Sequence, residues 1–353
     1  MIDSFKKILL LSLAFYLLSA PKAFGATGLN LKAANEMDQS FKTGDTGLAF
    51  RDLTYIWYKE GHSLGLDNEL RSKIGWVYPA NSQVLQIKKY ADGRFMYQSV
   101  YNINQIGQRT LPVAANKSEH LIIAGDSNTF GVGLNDEETL PFMLSKKHPN
   151  YHAYNFGHGG GGPHNTLALF ESMNWYTQIK EPVGKMIYIY YPQWLNERPI
   201  GSKNYLAWDK GMSPWYEIEN GELVYKGLLK DKLQSKFYNF IRLIDYFKLV
   251  GNLPRISTDH LKLITKLFEG IKKQYLMEFP MGKFSVVVSK YGVTDMELCG
   301  ELISLLKAAN IDVVVINENP IVDLKLHFPD FHFNYDGQKM IEKELSRAIK
   351  FEK

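Results

Sequence analysis

Cysteine is almost missing from this chain. Cys299 is the only one in 353 residues, which excludes a disulfide framework. It lies in "TDMELCGELISLLKAAN", an amphipathic helix pattern, and is read as a core thiol rather than a nucleophile. Clustered Arg/Lys stripes are also lacking, and a formal charge of +4 is too small for a nucleic-acid footprint. There is no repeat and no low-complexity linker. The glycines at 159–162 are followed by no lysine, so the phosphate-loop pattern is absent and nucleotide binding is not expected. Paired histidines at ligand spacing on one helix are lacking too, so neither a metal nor a cofactor is expected.

What is present begins with a targeting segment. Lys6 and Lys7 precede an apolar run from Ile8 to Ala20, Pro21 ends it, and Ala23-Phe24-Gly25 offers a cut before Ala26. The run is too short to span a bilayer comfortably. Residues 1–25 are therefore expected to be a signal peptide cleaved after Gly25, leaving a periplasmic or secreted protein with no stable membrane anchor. They carry three lysines and one aspartate of the +4 total, so the remainder is near +2.

Beyond residue 117 the chain alternates. Apolar, β-branched runs at 120–125, 151–157, 185–191, 283–289 and 311–318 are separated by helix patterns at roughly 138–148, 164–179, 232–249, 257–278, 295–309 and 335–350. Such alternation predicts a doubly wound parallel sheet of flavodoxin-like type, covered on both faces. Residues 26–117 read instead as a β-rich N-terminal extension, with a hairpin at Asp92-Gly93. Residues 200–282 read as an α/β insertion within the 118–353 domain, with a second hairpin at Asn220-Gly221.

Chemistry gathers at the carboxyl ends of strands in such sheets, and Ser127 falls at one of them, in "HLIIAGDSNTFGVG". A serine attacks a carbonyl only with a base to take its proton and donors to hold the oxyanion. The base candidate is His332 in "FPDFHFNYDGQKMIEKEL". Asp330, two residues earlier, can orient its ring if the loop curls. Asp126 is read as a turn residue that bonds nearby backbone.

"GDSNTFGVG", "NFGHGG" and "DFHFNYDG", in that order, resemble the blocks of the GDSL-type serine esterases, the SGNH hydrolase superfamily. The resemblance covers about residue 119 to the C-terminus, apart from the insertion. It implies an acyl-serine mechanism with Ser127 as nucleophile, His332 as base and Asp330 as its partner. Asn334 and Gly337 follow in the last block. The oxyanion donors it implies are the N–H groups of Ser127 and Gly160 and an amide.

The sequence departs from the family pattern in three places. Asn128 replaces Leu of the first block. The Gly-x-Asn-Asp block is replaced by "YIYYPQWLNERPIG", so the amide falls to Asn196 or Gln193. The last block has Asp-x-His, a spacing that resembles a branch containing polysaccharide O-acetyltransferases.

His158, His164, Trp194 and Arg198 lie near these blocks and are candidates for substrate contact. An aromatic cluster (Trp194, Tyr205, Trp208, Trp215, Tyr216) suits sugar rings or acyl chains and equally suits packing. The expected activity is hydrolysis of an O-acyl ester, above all an O-acetyl ester, on a glycan or small molecule. Transfer of the acyl group to a sugar hydroxyl uses the same residues. Binding of carbohydrate without catalysis is the reading from a different class.

Overall fold

Aromatic and β-branched residues ahead of position 117 build strands, and turn residues fold them back on one another. The computed structural model describes residues 35–43, 49–58, 73–114, 116–202, 205–206, 209, 211–232, 255–317 and 322–351. The expected signal peptide lies outside them, as does the expected helix at 232–249 beyond its first residue. β1 (Asn35–Thr43), β2 (Ala49–Tyr58), β3 (Ser82–Tyr90) and β4 (Phe95–Asn102) form a four-stranded antiparallel sheet in sequence order. The expected turn forms at Asp92-Gly93, where Gly93 takes φ 87° and Tyr90 N–H donates to the Arg94 carbonyl. Only glycine adopts that backbone without side-chain strain. Ser82, Val84 and Lys88 on β3, with Tyr97, Ser99 and Tyr101 on β4, are buried at a period of two and so form one inner face.

The apolar runs form the second sheet. β5 (Glu119–Gly125), β6 (Tyr151–Gly157), β7 (Gly184–Tyr190), β10 (Lys283–Ser289) and β11 (Asp312–Ile316) pair in parallel, in the order β11-β10-β7-β5-β6. Between β7 and β10 the chain adds β8 (Pro214–Glu219) and β9 (Glu222–Leu228). This second hairpin turns at Asn220 and Gly221, with φ 52° and 83°, the left-handed pair of a type I′ turn. Leu121, Ile122 and Ile123 of β5 and Val286, Val287 and Val288 of β10 are fully buried. Each such side chain contributes about 1.5–3 kcal/mol relative to exposure.

Helices cover the sheet. They are α1 (Ser127–Phe130), α2 (Leu140–Lys147), α3 (Pro163–Ser172), α4 (Trp175–Gln178), α5 (Pro192–Leu195), α6 (Leu229–Lys232), α7 (Thr258–Glu278), α8 (Met296–Ala308) and α9 (Tyr335–Ala348). α7 packs against α3 and α8, while α2 packs against α9. The helix expected at 164–179 is divided, because Met173 is extended and Asn174 caps a new helix by accepting from Thr177 N–H. The fold class is the expected one, with the N-terminal antiparallel sheet added to it. Its strand order reverses beside β5, so Ser127 leaves the sheet where a ligand crevice is expected. Among the described residues no helix is long and apolar enough to cross a membrane.

Candidate active site

Ser127 opens α1 directly after β5, and its neighbours hold it there. Asp126 caps the helix, accepting from Asn128 N–H at 3.0 Å with one oxygen and from Trp194 Nε1–H at 2.8 Å with the other. Gly157 lets α1 cross the end of β6, since a Cβ there would meet Phe130 N at 2.1 Å. The far end of α1 is closed by Arg109. Its guanidinium donates to the Phe130, Gly131 and Leu134 carbonyls and pairs with Asp136 at 2.6 Å.

His332 comes to Ser127 from the loop before α9, placing Nε2 3.1 Å from Oγ. Its Nδ1 faces Asp330 Oδ2 at 3.0 Å. Nδ1 makes no straight hydrogen bond in this arrangement, and the contact becomes an ion pair only when the ring is protonated. The curl that the short Asp-x-His spacing needs comes from Phe331, a non-glycine residue at φ 66°, a conformation that costs about 1–2 kcal/mol. It lets Asp330 Oδ1 accept the His332 backbone N–H at 3.3 Å as well.

Asp330 is enclosed, its side chain 4% exposed against 24% for His332. Burial alone would raise its carboxyl, but His332 and Lys88 outweigh burial and hold it well below the usual carboxylate range. Asn128, the departure from Leu, ties the first block to the last. Its side-chain oxygen accepts Phe333 N–H at 2.9 Å, and its carbonyl accepts from Gln338 Nε2 at 2.8 Å.

The oxyanion candidates separate. Neither Ser127 N–H nor Gly160 N–H has a hydrogen-bond partner among the described residues. Gly160 sits at φ 71°, and its carbonyl accepts from Tyr205 O–H at 3.1 Å. Asn196 is buried, and Tyr190 O–H holds its side-chain oxygen at 2.6 Å, so its Nδ2 end is the one left to donate. Gln193 is exposed and turns its oxygen to Thr294 N–H at 3.0 Å and Thr294 O–H at 3.1 Å.

The substrate-contact candidates fare differently. Arg198 is committed to the Gly161 carbonyl and Trp194 to Asp126. His164 is 1% exposed and lies under the loop beside Gly162 and Tyr205. Burial, then Arg198 and His158, hold its ring well below the ordinary histidine range. His158 is also buried. Burial and then Arg198 push it down to about 4, against an opposing hydrogen bond that its ring makes to the Trp76 backbone. Both rings are thus neutral near pH 7. Trp208 lies outside the described residues, while Tyr205 and Tyr216 are buried.

Two residues near the site come from the N-terminal region and were not expected. Trp76 is 46% exposed, stands edge-on to His158 and covers Gly159. Lys88 is buried, with Nζ 2.5 Å from Asp330 Oδ2. No periodic pattern marks Trp76, and the polarity pattern of β3 does not mark Lys88 as buried.

No protein-family model matches the chain, and no curated protein matches it. Among solved structures it is similar to a member of the lipolytic protein G-D-S-L family from Veillonella parvula DSM 2008. That likeness has 13% identity and a TM-score of 0.33, covering 65% of this chain and 97% of that one. It is similar to a two-domain esterase active on acetylated mannans, with 10% identity and a TM-score of 0.36 over 66% of this chain and 50% of that one. A catalytic mutant of an acetylxylan esterase from Geobacillus stearothermophilus is similar at 13% identity and a TM-score of 0.35, over 67% of this chain and 96% of that one. Lipolytic proteins of the G-D-S-L family and esterases are thus among the solved structures this chain is similar to.

Proposed function

We propose that the protein is a serine esterase that cleaves an O-acyl ester through an acyl-serine. One observation carries the reading above the rest: Ser127 Oγ lies 3.1 Å from His332 Nε2, whose other ring nitrogen faces buried Asp330 at 3.0 Å. In this scheme Ser127 Oγ attacks the ester carbonyl carbon and its proton passes to His332 Nε2. The oxyanion is held by the N–H groups of Ser127 and Gly160 and by Asn196 Nδ2, which is better disposed than Gln193. Collapse breaks the C–O bond to the alcohol, which takes the proton from His332. Water then attacks the acyl-serine, gives a proton to His332, and Ser127 leaves with it restored. Asp330 offsets the positive ring in both steps.

For the substrate we favour an O-acetylated glycan. Trp76, exposed beside the oxyanion loop, offers a face on which a sugar ring can lie. The expected leader supports a periplasmic or secreted location. A second reading, transfer of the acyl group to a sugar hydroxyl, draws on the short Asp330-x-His332 spacing.

Turnover of p-nitrophenyl acetate and longer-chain esters by wild type, Ser127→Ala and His332→Ala tests the chemistry. Hydrolysis that both variants abolish is expected, with acetate preferred. Turnover that survives Ser127→Ala defeats the reading. Failure to turn over these esters or an acetylated glycan, with glycan still retained by Ser127→Ala, favours the binding protein. Acylated sugar formed when an acceptor is added favours the transferase.

A further inference from the structure

Lys88 lies 242 residues before Asp330 in the chain, on the antiparallel sheet, yet it meets Asp330 of the loop before α9 inside the protein. We propose that Lys88 is a positioning residue of the Ser127 site, through which the N-terminal antiparallel sheet sets the working pH of the catalytic histidine. The inference rests on the esterase reading and adds to it a component that the three sequence blocks do not contain.

A buried lysine must be paired, because an uncompensated charge away from water is costly. Lys88 has two carboxylates. Asp52, opposite it on β2, lies 3.4 Å from Nζ, and Asp330 lies 2.5 Å from it. The Asp330 oxygen that meets Lys88 is Oδ2, the same atom that faces His332 Nδ1. Tyr97 O–H approaches that oxygen too, at 3.4 Å. A line of side chains therefore runs Asp52–Lys88–Asp330–His332–Ser127, from the antiparallel sheet through the loop before α9 to the start of α1.

The line has two consequences. Lys88 fixes the rotamer of Asp330, and with it the oxygen presented to the ring. It also takes up part of the charge of Asp330, so the carboxylate favours the protonated ring less than an unpaired one would. Asp52 counteracts this by drawing on the charge of Lys88. The titratable groups around Asp330 are Lys88 and Asp52 from β3 and β2, Tyr97 and Tyr101 from β4, and His327 and His332 from its own loop. Burial raises both tyrosines and lowers His327. They stay uncharged at neutral pH, so the tunable charges are Lys88 and Asp52.

The pH dependence of kcat/KM for p-nitrophenyl acetate separates this role from a merely structural one. It is measured on the full chain for wild type, Lys88→Met, Lys88→Arg and Asp52→Asn, with a thermal melt of each. Removing the cation is expected to move the acid limb up by about one pH unit, and removing Asp52 to move it down by roughly half a unit. Lys88→Arg keeps the charge and is expected to keep the limb near that of wild type. The Lys88→Met loss at pH 7 should fall on kcat, with KM little changed.

Opposite shifts support the proposal, because loss of packing would not give opposite signs. Acid limbs unmoved in folded Lys88→Met and Asp52→Asn overturn it. Should Lys88→Met fail to fold, an unmoved limb in Asp52→Asn alone overturns it. A wild type without Ser127-dependent turnover is a different result, and removes the esterase reading itself.

Discussion

The parallel sheet carries its reactive groups at its rim, whereas the antiparallel sheet carries polar groups on its inner face. Ser127 opens α1 at the carboxyl end of β5, Gly160 sits in the loop after β6, and His332 in the loop after β11, beyond strands whose buried side chains are mostly apolar, with His120 and Asn155 the polar exceptions. The inner face of the antiparallel sheet instead holds Lys88, Tyr97 and Tyr101 among its buried residues. Arg109, just beyond that sheet, is 2% exposed and binds the loop that follows Ser127. One sheet presents the groups of the proposed active site, and the other region braces them. A scaffold of the second kind needs buried charge, which is stable only when every member is paired.

The largest expected effect tests that bracing. Arg109→Ala removes the buried cation that pairs with Asp136 and bonds three carbonyls, leaving Asp136 to Asn102, the Phe130 carbonyl to Asn155 and the Gly131 carbonyl to Leu134 N–H. It should cost about 3–5 kcal/mol of unfolding free energy in urea, with activity falling in step. A loss below about 1 kcal/mol would make the bracing dispensable. At the rim, Asn196→Ala should lower kcat by about 10²–10³-fold, equivalent to roughly 2.7–4 kcal/mol. Gln193→Ala, whose side chain turns toward Thr294, should change it only a few-fold, and steady-state kinetics of the two variants assign the amide. Asn128→Leu restores the residue usual in the resembling family but strands the Phe333 N–H. A destabilisation of about 1–3 kcal/mol is expected, together with slower turnover as His332 loosens.

The smallest effect concerns the buried histidines at the glycine loop after β6. His158 and His164 are lowered in the folded state, so the unfolded chain binds protons first as pH falls. Their contribution is fully present above about pH 6.5 and, for His158, is lost as pH falls toward about 4. Each titrating group adds a slope of about 1.4 kcal/mol per pH unit in that window. Denaturant titrations of wild type and His158→Gln should show the slope reduced in the variant.

The rim was legible because its physics is local. Strand runs such as "HLIIAG" and "KFSVVVS", the small residues around Ser127 and the caps at Asp126 and Asn334 are all written in adjacent residues. Hairpins at Asp92-Gly93 and Asn220-Gly221 were legible for the same reason, since positive φ selects their residue types. Lys88 was not legible. In "SQVLQIKKY" the buried face of β3 carries Ser82 and Lys88 while Leu85 and Ile87 are only partly covered, so polarity points the wrong way. The partner that makes a buried lysine tolerable, Asp330, is remote in the chain. Phe331 hid for another reason, because nothing in an aromatic residue announces a left-handed backbone.

The most direct test of the central claim is covalent trapping. The full chain would be treated with a fluorophosphonate, the modified peptide mapped by mass spectrometry, and the labelling rate compared with that of His332→Ala. Expected is a single adduct on Ser127, formed at least a hundredfold more slowly when His332 is removed, in keeping with general-base assistance of about 10²–10⁴-fold. No adduct on Ser127, or labelling that proceeds equally fast without His332, would contradict the assignment of these residues as nucleophile and base.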